Sequence, residues 1–146
     1  MSLELQITDE IKVAMKAKDA NTLTALRSIK AAFQNLNASG IEITEDIRLK
    51  AIQKLVKQRN DAATIYKDNN REDLYNVEVF EISILEKFLP KKLSDAEIEA
   101  EVKATIAEIG AKSIAEMGKV MGILNKKLVG KADNKIVSDF IKKLLA

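Results

Sequence analysis

The chain of 146 residues contains no cysteine and no histidine. Disulfides, thiolate nucleophiles and thiolate zinc sites are therefore excluded, and so is a histidine general base. Absence of cysteine identifies no compartment but is compatible with a reducing cytosol, and together with the lack of a membrane-spanning run and of signal-peptide features it makes a cytoplasmic placement the expectation. Tryptophan is absent and aromatic residues make up 4% of the chain, so the core has to be aliphatic. Five glycines and one proline leave few sites for tight turns. That disfavours an all-β fold and suits helices joined by short loops. No apolar run approaches the roughly 20 residues that span a bilayer, so no membrane partner is expected. The start, MSLELQITDE, has neither a basic n-region nor an apolar h-region and does not read as a signal peptide.

What is present is charge, unevenly distributed around a net value of +2. From Arg48 to Arg59 there are five bases and no acid, and from Glu72 to Glu86 five acids and no base. From Gly110 onward eight lysines face three acids. A basic tail of this kind is a candidate for phosphate contact, although lysines near a helix end also compensate its carboxyl-terminal dipole.

Apolar periodicity and capping chemistry predict an all-α fold. Leu3, Ile7, Ile11 and Met15, with Ala14 beside them, predict a first helix ending near Lys18. Asp19 or Asn21 can cap a second, carrying Leu23, Leu26, Ile29, Ala32 or Phe33, and Leu36, and closed around Gly40. Thr44 with Glu45 and Asp46 opens a third, with Ile47, Ala51, Leu55, Ala62 and Ile65 as its stripe, widened by Ile52, Val56, Ala63 and Tyr66. Asp73 starts a fourth, carrying Leu74, Val77, Ile84, Leu85 and Phe88. Tyr75, Val77 and Val79 alternate as a strand would, but the later spacing is helical. Leu89-Pro90 marks a boundary, giving an N-terminal helical domain over 1–90 and a small three-helix domain over 91–146. In the latter, Ser94 and Glu97 form a capping box. Ile98, Val102 and Ile106 or Ile109 give a fifth helix closed by Gly110. Ser113 and Glu116 form a second box. The last helix is capped by Asp133 and carries Ile136, Val137, Phe140, Ile141 and Leu144.

The stretch Met117–Asp133, MGKVMGILNKKLVGKAD, stands apart. Met117, Val120, Met121, Leu124 and Leu128 give it an apolar face. Gly118 and Gly122 lie four apart on an adjoining row, and each costs a helix interior roughly 1 kcal/mol relative to alanine. A helix that accepts both is expected to be closely approached along that row. Lys119, Lys126, Lys127 and Lys131 are the candidate phosphate-contacting residues.

Catalytic chemistry is not legible. Ser94 and Ser113 are explained as caps, Glu97 and Glu101 as a solvated i, i+4 pair, and no phosphate-cradling glycine loop follows a predicted strand. No catalytic residue, no metal ligand and no cofactor is assigned. Tyr66 and Tyr75 are too isolated to form a stacking platform for single strands.

Six stretches carry a family resemblance: Leu26-Arg-Ser-Ile-Lys-Ala-Ala32, Lys57-Gln-Arg59, Arg71-Glu-Asp-Leu74, Leu85-Glu-Lys-Phe-Leu-Pro-Lys-Lys-Leu-Ser94, Met117-Gly-Lys-Val-Met-Gly122 and Gly130-Lys-Ala-Asp133. Over nearly its whole length the chain resembles the YqeY-like family, and its tail is similar to the carboxyl-terminal domain of GatB, a subunit of tRNA-dependent amidotransferase. Asn69-Asn70 and Asn134 stand where the family often has glycine, and asparagine tolerates the same left-handed geometry. The resemblance implies tRNA contact through the tail, which makes Lys119, Lys126, Lys127 and Lys131 the candidate RNA-binding residues. It also brings the family-level association with carbon–nitrogen ligase activity using glutamine as amido-N-donor, which in GatB belongs to another, larger domain. The expectation is therefore a non-catalytic, tRNA-binding accessory module. The alternative is a protein-interaction adaptor using the glycine-lined helix face.

Overall fold

Helix-start and helix-stop chemistry sets the architecture. The structure, a computed structural model, describes residues 2–146. Among the described residues there are seven α-helices and no strand. They are α1 (Leu3–Ala17), α2 (Ala20–Ala38), α3 (Glu45–Asp68), α4 (Glu72–Glu86), α5 (Asp95–Ile109), α6 (Met117–Lys127) and α7 (Asn134–Leu145). The all-α expectation holds, and Tyr75–Val79 is helical. Contacts divide the chain into two compact units, one ending at Leu89 and the other Pro90–Ala146.

In the first unit α2 packs against α1, α3 and α4. It supplies Ala25, Leu26, Ile29 and Phe33 to a core shared with Ile7 and Ile11 of α1, Ile52 and Val56 of α3, and Ile82 and Leu85 of α4. Asp19 caps α2, accepting from the Thr22 N–H at 3.2 Å, and Thr44 caps α3, accepting from Ile47 at 3.3 Å. Asn70 takes a left-handed conformation (φ 57°) in the α3–α4 turn. Glu4 of α1 ties its neighbours together by accepting from Asn37 of α2 and Arg48 of α3.

Two expected stripes are displaced. In α1 Met15 is 55% exposed and Ala14 is buried instead. A strict i, i+4 row drifts about 40° per step around a helix, so Leu3, Ile7, Ile11 and Met15 cannot all face one core. In α3 the buried row is Ile52, Val56 and Ala63, while Ile65 is 59% exposed. Both rows of α3 are apolar, and Arg59 falls on the buried one. Its burial is made tolerable by carboxylates of α4, a pairing that periodicity cannot show.

In the second unit α5, α6 and α7 pack pairwise around Ile98, Val102, Val120, Leu124, Val137 and Ile141. Ser94 caps α5 reciprocally: its hydroxyl accepts from the Glu97 N–H at 3.2 Å, and the Glu97 carboxylate accepts from the Ser94 N–H at 3.1 Å. Thr105, rather than Ile106 or Ile109, takes the fully buried position of α5, because it continues the Ile98, Val102 row. Gly110 ends the helix with φ 69°. A short 3-10 turn over Ile114–Glu116 then leads into α6. Asp133 caps α7, accepting from the Lys135 N–H at 2.9 Å. Asn134 is the first residue of α7, so no left-handed geometry is required of it. Replacing Ser94 by alanine is expected to destabilise this unit by about 1 kcal/mol. Loss of amide protection in α5 would report it.

Candidate functional site

The site is built on α6 and the turn after it. Val120 and Leu124 bury one face of this helix, and Met117 and Met121 flank them partly buried. The opposite side carries Gly118, Lys119, Gly122 and Lys126, all exposed. Gly118, Gly122 and Lys126 succeed one another at four-residue spacing, and Lys119 precedes Gly122 by three, so these four residues form one outward surface. Lys119 and Lys126 are separated by two turns, about 10 Å along the axis.

The close approach expected at the glycines is not made within the second unit. A Cβ built on Gly118 or Gly122 meets nothing within 4 Å. The row is an open strip of helix backbone between two lysines. Because the space is free, Gly122→Ala is expected to stabilise the second unit by roughly 1 kcal/mol, the helix-propensity difference. Urea denaturation would measure it.

The other two candidate lysines are placed differently. Lys127 lies toward α5, with its Nζ 3.5 Å from Glu108 Oε2. Lys131 is exposed in the turn after the helix, and its carbonyl accepts from the Leu93 N–H at 2.9 Å. α6 ends at Lys127, with Leu128 as its cap, and Gly130 (φ 76°) belongs to the following turn rather than to the helix terminus. At the entry to α6 the Glu116 carboxylate accepts from the N–H groups of Lys112 (2.6 Å) and Ser113 (3.4 Å). The Lys112 hydrogen bond above all holds Glu116 below its ordinary pKa. The structure thus places Lys119 and Lys126 on one surface with Gly118 and Gly122, Lys127 toward α5, and Lys131 in the turn that follows.

The basic run of α3 also divides. Arg48 is consumed by Glu45 (2.6 Å) and Glu4 (3.5 Å) and lies over the Phe33 ring at 6.0 Å. Arg59 is consumed by Glu78 (3.5 Å) and Glu81. Lys50, Lys54 and Lys57 remain exposed. The sequence reading missed the cluster around Arg59. Its signal was an acid pair at three-residue spacing in α4, Glu78 and Glu81, facing back across a short turn to the one arginine on the buried row of α3. Glu81 is only 4% exposed, and burial, together with neighbouring Glu78 and against the pull of Arg59, raises its pKa above the ordinary 4.5.

Among the described residues, no group of three or more Asp or Glu is placed to hold a metal ion. Among them, too, no helix is long and apolar enough to cross a membrane.

The fold defines a small all-α protein of two helical units with an open, glycine-lined cationic helix in the second. The chain belongs to the YqeY family, described as Yqey-like protein, which it matches over residues 4–145. It is similar to altered inheritance of mitochondria protein 41, mitochondrial, from Lachancea thermotolerans, 33% identical over 68% of this chain and 56% of the relative. The Clavispora lusitaniae protein of the same name is 34% identical over 70% and 61%, respectively. The Pyrenophora tritici-repentis one is 28% identical over 93% and 77%. The chain thus spans under two thirds of the first two relatives. Their names are mitochondrial, which overturns the cytoplasmic placement expected from composition. Absence of cysteine makes a chain indifferent to redox state and carries no address.

Proposed function

We propose that the protein is a non-catalytic accessory module that contacts tRNA through its second unit, in a process related to tRNA-dependent amidation rather than as the ligase itself. Residues 91–146 act as the contacting domain and residues 1–90 as a separate helical domain. The observation that carries this reading is the outward surface of α6, where Lys119 and Lys126 stand exposed beside a glycine strip that no residue of the second unit covers. Phosphates are drawn to the two ammonium groups, and the missing side chains let a sugar–phosphate strand lie close to the helix. Lys131 extends the patch beyond the helix end, and Lys127, offset by Glu108, contributes less than the others. Titration of tRNA against the full chain at increasing salt tests it: affinity falls linearly on a log–log plot if phosphates are the ligand. An affinity indifferent to salt removes the proposal.

The open glycine row equally favours the second reading, an adaptor that receives a partner helix there. The two separate on Gly122→Leu. A leucine on the strip blocks a helix that needs close backbone approach, while flexible phosphates can shift along the flanking lysines.

A further inference from the structure

The first unit holds a charge imbalance of its own at the groove between α3 and α4. Glu78 and Glu81 share a single guanidinium, that of Arg59, and its Nε is buried and makes no hydrogen bond within the chain. Glu81 is buried, while the Glu78 side chain is 17% exposed. Beside them opens a cavity of about 280 Å³ lined by Leu55, Gln58, Arg59 and Ala62 of α3 and Glu78 of α4. Leu55, Gln58, Ala62 and Ile65 follow one another at alternating three- and four-residue intervals. That is the spacing with which one helix receives another. Leu55 and Ala62 are partly buried, and the row opens to solvent at Gln58 and most fully at Ile65.

We propose that this groove receives an amphipathic helix of a partner protein, laid with its apolar face on Leu55, Ala62 and Ile65 and seating a lysine or arginine against Glu78. Arg59 is divided between two carboxylates and lies closer to Glu81, so the more exposed Glu78 is only partly neutralised and a second cation can complete its pairing. The cation has to come from outside, because among the described residues Arg59 is the one base paired to either carboxylate, and α4 itself has five acids and no base over its length. The exposed Lys50, Lys54 and Lys57 on the outer side of α3 then favour acidic residues along the occupant's opposite edge, which fixes its orientation. A nucleic acid is disfavoured here, since Glu78 would face a phosphate. The surface is therefore distinct from the one on α6 and stands or falls independently of it.

The test uses the full chain, methyl-labelled, and synthetic amphipathic helices of about five turns with a common leucine face. One carries lysine and the other glutamate at the position facing α4. The lysine peptide is expected to shift the Leu55, Ala62 and Ile65 methyl signals. Its affinity should fall roughly tenfold or more in Glu78→Gln, where the charge pair is lost. In Ile65→Ser, an exposed site that cannot disturb the core, it should fall roughly threefold or more. The glutamate peptide should leave the groove signals unmoved. Equal binding of both peptides, unchanged affinity in both variants, or shifts confined to other surfaces overturns the proposal. So does tRNA moving the same methyls, or self-association of the wild type that Ile65→Ser abolishes.

Discussion

Reversing Lys119 and Lys126 together to glutamate is expected to lower tRNA affinity by roughly a hundredfold at low salt and to flatten its salt dependence by about two units of log–log slope. Each lysine on a phosphate contributes about one unit of that slope, because it releases about one condensed counterion. The two residues occupy one outward surface of α6 and both are exposed, so their charges are available to a ligand. Lys127→Glu is the internal comparison. Its ammonium lies 3.5 Å from Glu108, and reversing it replaces an exposed ion pair worth no more than about 1 kcal/mol by a weak repulsion. Its effect on tRNA affinity should be several-fold smaller than that of the pair. All three positions are exposed, so the helical circular dichroism should not change. Filter binding across a salt series reads affinity and slope together. An affinity that falls while the slope stays constant would mean the lysines act through the fold and not on phosphates.

The helices themselves were legible because their punctuation is local. Thr44, Asp19, Ser94 and Asp133 each bond a backbone N–H within three residues, and Gly110 adopts the left-handed turn that ends α5. What faces what was less legible. Two apolar rows on α3 compete for the core, and the winning row includes Arg59, which only Glu78 and Glu81 of another helix can justify. The glycines of α6 were legible as unusual, but their environment was not: propensity shows a cost without showing whether a neighbour fills the space. That the space is open follows only once α5 and α7 are seen to pack on the other face. The lysines divide in the same way. Lys119, Lys126 and Lys127 are alike in sequence, and Glu108, nineteen residues before Lys127, is what separates the last from the others.

Losing Arg59 should cost the first unit as much as losing a large core side chain. Truncation to alanine strips Glu81 of its cation in a site where it is 4% exposed, and breaking a buried pair this way costs roughly 3–5 kcal/mol. That is a large share of the total stability of a domain, about 5–15 kcal/mol. The cost should depend on pH, with a sign fixed by Glu81. Its folded-state pKa lies above the ordinary 4.5, chiefly because burial disfavours the charged form. Between the unfolded and folded values the native state binds the proton that the unfolded chain has released. The Glu81 contribution to stability is therefore greatest below the unfolded value and is lost as pH rises through the folded one. Losing Arg59 removes the influence that lowers this pKa, so the window widens upward. The Arg59→Ala protein should accordingly regain stability on acidification, where Glu81 becomes neutral. In Glu81→Gln this segment of the pH dependence disappears. Replacing both partners, as Arg59→Met with Glu81→Leu, should return most of the lost stability, because an apolar pair needs no compensation in the core. Urea denaturation of the four proteins from pH 4 upward, followed through α3 and α4 amide protection, distinguishes these outcomes. If the single and double variants were equally unstable, Arg59 would matter for its packing rather than for the charge it holds over α4.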